Sequence, residues 1–353
     1  MKSAKVVAVL LVAAMPYLLF ALAQTSRLHD AVRSNDMERI RSAFKPWKLV
    51  DGKDRSGNTP LQLAVARGNL IAAEFFLDRG ASVWPRQYRQ SQTDYLDMAV
   101  RAGNADMVKL LLDHNAPVNS SQAICSAVQS LKLSLVELLL KHGADPNAIK
   151  QPYQMVPALR CLPNARLADS NYYQIVGVLL EYGANINFYD SDGHSLLSRA
   201  MYRKPLDAEL LRFLITKGAS LGAGPKGGTP LRYAARAKLV EVVKLLLQAG
   251  ADANDGGNEC NSDDTATRCQ RHTTALHEAV ELHDYDYNLK TQSVEIAAML
   301  IKHGAKLNVL SEGGRTSLFL ASYSDNQEAV ALLLGAGANP SYDAPPNLRR
   351  KFN

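Results

Sequence analysis

The chain is short of the residues that staple small folds and of the motifs that mark catalysis. Four cysteines in 353 residues are too few for a disulfide scaffold, though they allow one or two bridges. No polybasic run occurs. Lys and Arg are scattered, so a formal charge of +6 does not by itself indicate a nucleic-acid partner. There is no phosphate-binding Gly loop, no Gly-x-Ser-x-Gly and no His-Glu-x-x-His. The eight histidines are spread along the chain, so no catalytic set and no cofactor site is expected. Long apolar runs are also missing, with one exception at the N-terminus.

That exception reads "MKSAKVVAVLLVAAMPYLLFALAQTS". Lys2 and Lys5 precede an uncharged stretch from Val6 to Phe20, and "ALA" at Ala21 to Ala23 is a small-x-small site. This is the pattern of a secretory signal peptide over residues 1–23, cleaved after Ala23. The rival is an uncleaved anchor, since Val6 to Ala23 has 18 residues, close to the lower limit of a spanning helix. Pro16 and the "ALA" site favour cleavage, which would leave a mature charge of +4. Export would place the chain in an oxidising compartment, the periplasm if the source is bacterial.

What the sequence does have is self-similarity. A Gly-Ala pair repeatedly follows an apolar helix: "FFLDRGAS" at Gly80, "LLLKHGAD" at Gly143, "VLLEYGAN" at Gly183 and "FLITKGAS" at Gly218. It recurs in "LLLQAGAD" at Gly250, "MLIKHGAK" at Gly304 and "LLLGAGAN" at Gly337. In "LLLDHNAP", Asn115 replaces the Gly, and Asn is the next-best residue where φ must be positive. A second motif lies upstream: "NTPLQLAVARGN" (58–69), "GTPLRYAARA" (228–237), "RTSLFLASYSD" (315–325) and "TTALHEAV" (273–280). Thr59, Thr229 and Thr316 sit where an N-cap hydroxyl accepts from free backbone N–H groups. Pro60 and Pro230 follow at the first helical position, where a missing N–H does no harm. Ala64, Ala99, Ala234, Ala279 and Ala321 let paired helices approach closely, and Leu triplets such as Leu245 to Leu247 pack against neighbouring copies.

Together these motifs resemble the ankyrin repeat, from about Ser26 to Tyr342. The resemblance implies an all-α solenoid of about nine helix-turn-helix repeats over residues 24–343, with protruding finger loops and a basic tail at 344–353. One repeat cannot bury its own apolar faces, so stability is a sum over nearest-neighbour interfaces. The fifth unit, "PALRCLPNARLADSNYYQIVGVLL", is the weakest match and carries Pro163 within or just after its first helix.

The array also departs from its own period. Gly250 to Gly304 spans 54 residues where the regular step is 33. Part of the excess is a finger insertion at about 255–272 and part a helix–helix insertion at about 282–292. Cys260 and Cys269 close a loop of about ten residues inside the long finger, and a disulfide is expected there. Zinc is a rival through Cys260, Cys269, His272 and His277, but the spacing is not a standard one and His277 takes the place of the family's structural His. No metal is therefore expected. Cys125 and Cys161 fall in the first helices of adjacent repeats and pair only if their Cα atoms lie within about 7 Å; two buried thiols are the expectation.

In proteins of this family, partners contact finger tips and exposed first-helix positions. Here one finger carries Trp84, Arg86, Tyr88 and Arg89, and first helices carry Arg101, Arg199, Tyr202, Arg232, Tyr233 and Arg236. Trp, Tyr and Arg are the residues most enriched at binding hot spots. Glu259, Asp263 and Asp264 in the long finger add an acidic contrast. The expected activity is non-enzymatic protein binding, with an acidic or polar protein surface as partner. Three roles fit: an immunity protein that blocks a secreted toxin such as a lipase effector, an envelope scaffold for a resident enzyme, or a metal- or small-molecule-binding protein using 258–270.

Overall fold

A computed structural model describes residues 27–44, 50–83, 94–120, 122–148, 157–163, 170–190, 193–201, 207–224, 228–256, 273–282 and 287–340. The described elements are helical, apart from an isolated bridge between Tyr189 and Ser195. The fold is an all-α ankyrin-type array, as its sequence period requires. Its contacts divide the chain into two compact units, Met1–Ala184 and Asn185–Asn353.

In the first unit, helix pairs are α1 (27–33) with α2 (Met37–Ala43), and α3 (Pro60–Ala66) with α4 (Leu70–Leu77). They continue with α5 (Tyr95–Ala102) and α6 (Ala105–Asp113), then α7 (Ala123–Gln129) and α8 (Leu133–Lys141). A fifth pair joins a 3-10 turn, Ala158–Cys161, to α9 (Ser170–Glu181). In the second unit, α10 (Leu196–Met201) pairs with α11 (Ala208–Thr216), and α12 (Pro230–Arg236) with α13 (Val240–Gln248). The last pairs are α14 (Ala275–Val280) with α15 (Tyr287–Lys302), and α16 (Ser317–Tyr323) with α17 (Gln327–Gly335). Within each unit, first helices pack in one row and second helices in another.

Local chemistry explains the helix ends. Thr59, Thr229 and Thr316 each accept from the N–H three residues on, at 3.1, 3.1 and 3.2 Å. Asn69, Asn104 and Asp207 cap the second helices α4, α6 and α11 in the same way. Each closing Gly named above has a φ between +79° and +94°, and Asn115 follows at +62°. Asn115 thus adopts the left-handed backbone that its place in the period demands.

The small residues face one another. Ala64, Ala99, Ala234, Ala279 and Ala321 are all buried, as are Leu111, Leu139, Leu246 and Leu333 of the second helices. Each fully buried Leu contributes roughly 1.5–3 kcal/mol. Three fingers share one closing bond among the described residues. In 54–58, 190–194 and 311–315 the first residue's side chain accepts from the N–H four residues on. Burial alone would raise the Asp54 carboxyl. Hydrogen bonds from Asn58 and from the Ser56 N–H outweigh it and hold Asp54 below its ordinary value.

Neighbouring repeats are also laced at their turns. At four boundaries an Asn four residues past the closing position reaches the next repeat's closing Gly. Asn119 donates to Gly143 O at 2.9 Å and accepts from the Asp145 N–H at 2.7 Å. Asn254 does the same to Gly304 O at 3.0 Å and the Lys306 N–H at 2.7 Å. Asn147 donates to Gly183 O and Asn187 to Gly218 O.

One expectation is overturned. Cys125 and Cys161 are not two free thiols; they form a disulfide with an S–S distance of 2.02 Å and Cα atoms 5.3 Å apart. The reason lies in the fifth repeat, whose first element is a single 3-10 turn ending at Cys161. That turn packs on α7 where a full first helix packs elsewhere, and it brings Cys161 within bridging reach of Cys125. The Cys260–Cys269 pair lies outside the described residues.

Candidate protein-binding surface

Of the expected binding residues, the described first helices carry Arg101, Arg199, Arg232, Tyr233 and Arg236. In the first unit, Arg101 near the end of α5 is 64% exposed and pairs with Asp97 at 2.8 Å, one turn back on the same helix. Asp97 in turn accepts from the Ser126 hydroxyl at 2.5 Å, so the pair is held by the next repeat. Trp84, Arg86, Tyr88 and Arg89 lie outside the described residues, as do Tyr202, Glu259, Asp263 and Asp264.

In the second unit, Arg199 is half-buried on α10. Arg232 on α12 is engaged within the chain. Its Nε meets the Glu278 carboxylate at 3.1 Å and its Nη1 donates to Gly256 O at 3.1 Å. Both side chains are largely shielded, at 15% and 7% exposure. Arg232 stands three residues after its capping Thr, the place that His277 fills after Thr274. His277 likewise reaches the next repeat's backbone, at Val309 O, 3.0 Å. The sequence places Arg232 in the groove; its contacts instead give it the interlocking role of the repeat's His. Tyr233 is half-buried, and its ring lies so close to Gly228 that any Cβ there would sit 2.2 Å from the phenol oxygen. Arg236 is 62% exposed and only 3.9 Å from Glu278, which Arg232 already engages.

A second cluster escaped the sequence reading. Arg315, just before the α16 cap Thr316, stands at i, with Phe319 and Tyr323 of α16 at i+4 and i+8. The rings of Phe319 and Tyr323 stack 6.2 Å apart at 11°. The Arg315 guanidinium lies 5.3 Å from one centroid and 5.7 Å from the other. The spacing was visible in "RTSLFLASY", but that stretch carried weight only as a capping motif.

Two buried groups hold the eighth repeat. Burial pushes His277 down to about 4, so the ring is neutral at pH 7. Its Nδ1 accepts from the Thr274 N–H at 3.1 Å, which leaves the Nε2 proton for Val309 O. Lys238 is buried at φ +54°, in the turn position that Gly68 and Gly103 fill in other repeats. Its ammonium donates to the carbonyls of Glu278, Ala279 and Glu281 at 2.5, 2.8 and 3.0 Å. Elsewhere the matching Ala carbonyl is closed by the turn itself: Asn69 N–H to Ala64 O, Asn104 N–H to Ala99 O, Asn326 N–H to Ala321 O. At Ala279 the carbonyl has other partners. Lys238, with the Ser293 hydroxyl at 2.7 Å, takes over Ala279 O. Burial lowers Lys238 to about 8, with Glu278 and Glu281 opposing the shift.

No group of three or more His, Cys, Asp or Glu side chains suited to a metal occurs among the described residues. None of their helices is long and apolar enough to cross a membrane.

Stacked helix pairs laced at their turns define a repeat scaffold. The chain belongs to the ankyrin-repeat family. The family description "Ankyrin repeats (3 copies)" matches residues 85–150, 165–256 and 256–343, and "Ankyrin repeats (many copies)" matches 28–77. The chain is 28% identical over 341 residues to the human transient receptor potential cation channel subfamily A member 1, covering 92% of this chain and 28% of the channel. It is 24% identical over 328 residues to the phosphocholine transferase AnkX of Legionella pneumophila, covering 84% of this chain and 33% of the transferase. An ankyrin repeat protein of Rickettsia felis matches at 22% over 350 residues, covering 90% of this chain and 83% of that protein. The chain thus spans a third or less of the channel and the transferase. Ankyrin arrays are protein-binding scaffolds, generally without catalytic chemistry of their own.

Proposed function

We propose that the protein is an exported, non-enzymatic binding scaffold of the bacterial periplasm, and that it serves as an immunity protein which captures and blocks a secreted antibacterial toxin, such as a lipase effector. The observation that carries this reading is the Cys125–Cys161 disulfide between adjacent repeats. Such bonds form and persist in oxidising compartments. The apolar N-terminal stretch ending at Ala23, read as a cleaved signal, supplies the route there. The exposed arginines and aromatic side chains of the second unit's first helices supply a surface suited to an acidic or polar protein.

The test is expression of the full chain in a bacterial host, with fractionation, thiol titration and affinity capture of periplasmic proteins. The expected result is a periplasmic protein shortened by 23 residues, with Cys125 and Cys161 oxidised, that binds one toxin and protects cells from siblings carrying it. A cytoplasmic protein with free thiols, or unchanged survival in that competition, overturns the reading. A native envelope enzyme as the captured partner, with a peroxide phenotype on deletion, would replace immunity by a scaffolding role.

A further inference from the structure

The Arg315–Phe319–Tyr323 stack has no structural task that explains its exposure. Tyr323 is 75% exposed and Arg315 is exposed, whereas Leu318, Leu320 and Ala321 between them are buried. Phe319 is half-buried at the base of the stack, so the packing of α16 leaves Arg315 and Tyr323 outside it. No carboxylate among the described residues comes within ion-pair distance of Arg315. The Arg315 guanidinium carbon lies 5.3 and 5.7 Å from the two ring centroids, within cation–π range. The guanidinium's in-plane N–H fork stays available for a carboxylate, which it can grip through two parallel hydrogen bonds. The two rings beside it form an apolar shelf.

The neighbouring first helices extend the same chemistry. α16 packs on α14, and α14 on α12, where Arg236 is 62% exposed. Glu278 on α14 does not cancel that charge, because its carboxylate is engaged more closely by Arg232.

We propose that Arg315, Phe319 and Tyr323 form an anchoring patch for an acidic segment of the partner protein, one in which an Asp or Glu stands beside an apolar side chain. The carboxylate docks on the Arg315 fork and the apolar neighbour on the Phe319 and Tyr323 rings. A protein segment suits the patch better than a nucleic acid. Stacked rings would accept a base, but a phosphate backbone needs a continuous cationic row. Here Glu312 and Asp325 are exposed within the same repeat, and Glu281 stands between α14 and α15. This inference rests on the binding-scaffold reading and assigns one of its contact sites.

A random twelve-residue peptide library displayed on phage, panned against the full-length mature chain, is the probe. Selected peptides are then measured by fluorescence anisotropy against wild type, Arg315→Ala, Arg315→Lys and Tyr323→Ala, with a twenty-nucleotide single-stranded DNA in parallel. The expected result is enrichment of Asp or Glu next to an apolar residue, and a tenfold or greater loss of affinity with Arg315→Ala and with Tyr323→Ala. Arg315→Lys should recover only part of the loss, and added salt should weaken wild-type binding. Unchanged thermal unfolding of the variants excludes a folding defect. Peptides without acidic enrichment, equal binding by the alanine variants, no selected peptide, or DNA binding that depends on the same residues would overturn the proposal. A toxin still held by the Tyr323→Ala protein removes this patch and leaves the scaffold reading standing.

Discussion

Removing the Cys125–Cys161 bridge is a direct test of how the first unit holds together. The bond closes a loop with a sequence separation of 36 residues across a repeat boundary. In the chain-entropy account a loop of this length stabilises the fold by about 4 kcal/mol at 25 °C. Its neighbourhood offers little to replace it, because the fifth repeat presents a four-residue 3-10 turn where a first helix of six to eight residues stands in the other described repeats. The double variant Cys125→Ala/Cys161→Ala, and separately the reduced wild type, should unfold in urea at a midpoint lower by about 2 M, taking a slope of roughly 2 kcal/mol per molar. Hydrogen exchange should localise the loss. Amides in 122–163 should speed up most, and those in 228–256 should keep their protection. Using both a variant and a reductant separates the bond from the packing of its sulfurs. Identical midpoints for oxidised wild type, reduced wild type and the variant, with the bond confirmed by mass spectrometry, would refute the argument.

Three further outcomes follow from the contacts described. His277 is held near 4 in the fold against 6.5 when free, so the unfolded chain binds the extra proton first. Its contribution is complete above about pH 6.5 and is lost as pH falls towards 4, a loss of about 3 kcal/mol that His277→Gln should flatten in acid-unfolding curves. Lys238, lowered to about 8 from 10.5, acts over another window: between those values the folded chain has released a proton that the unfolded chain keeps, so this group makes stability rise with pH there. Lys238→Met should leave the carbonyls of residues 278 and 281 without its ammonium, cost about 1–3 kcal/mol, and accelerate exchange in 278–282; unchanged exchange would show that the ammonium is dispensable. Asn254→Ala removes two hydrogen bonds between repeats and should lower stability by about 1–3 kcal/mol, with Asn119→Ala comparable and the two additive because they lie in different units.

The array was legible because its signals are local. A Thr before an apolar run, a Gly after one and an Ala between helices each state a backbone or packing need that one residue type meets. Even the exception at Asn115 was readable from its φ requirement. What could not be read depended on which residues meet across repeats. Cys161 reaches Cys125 only because the fifth repeat's first helix contracts to a turn, and no periodicity announces that. Arg232 looked like an exposed groove residue because its partner, Glu278, lies 46 positions away beyond the long finger. Lys238 in a Gly position was a visible anomaly, but its purpose emerges only beside the unclosed end of α14. The Arg315, Phe319, Tyr323 spacing is readable in the sequence, but helical spacing alone does not distinguish a buried stripe from an exposed one.

Lys238 has a consequence for how such an array can change length. A closing bond made inside a turn ties helix packing to the length of that turn, so any added residue breaks it. A closing bond supplied from the preceding repeat removes that dependence. The connection after α14 is then a port. Segments of different length can be carried there while α14 and α15 keep their seats, and a lysine one repeat upstream is the mark by which such ports can be sought in other repeat sequences.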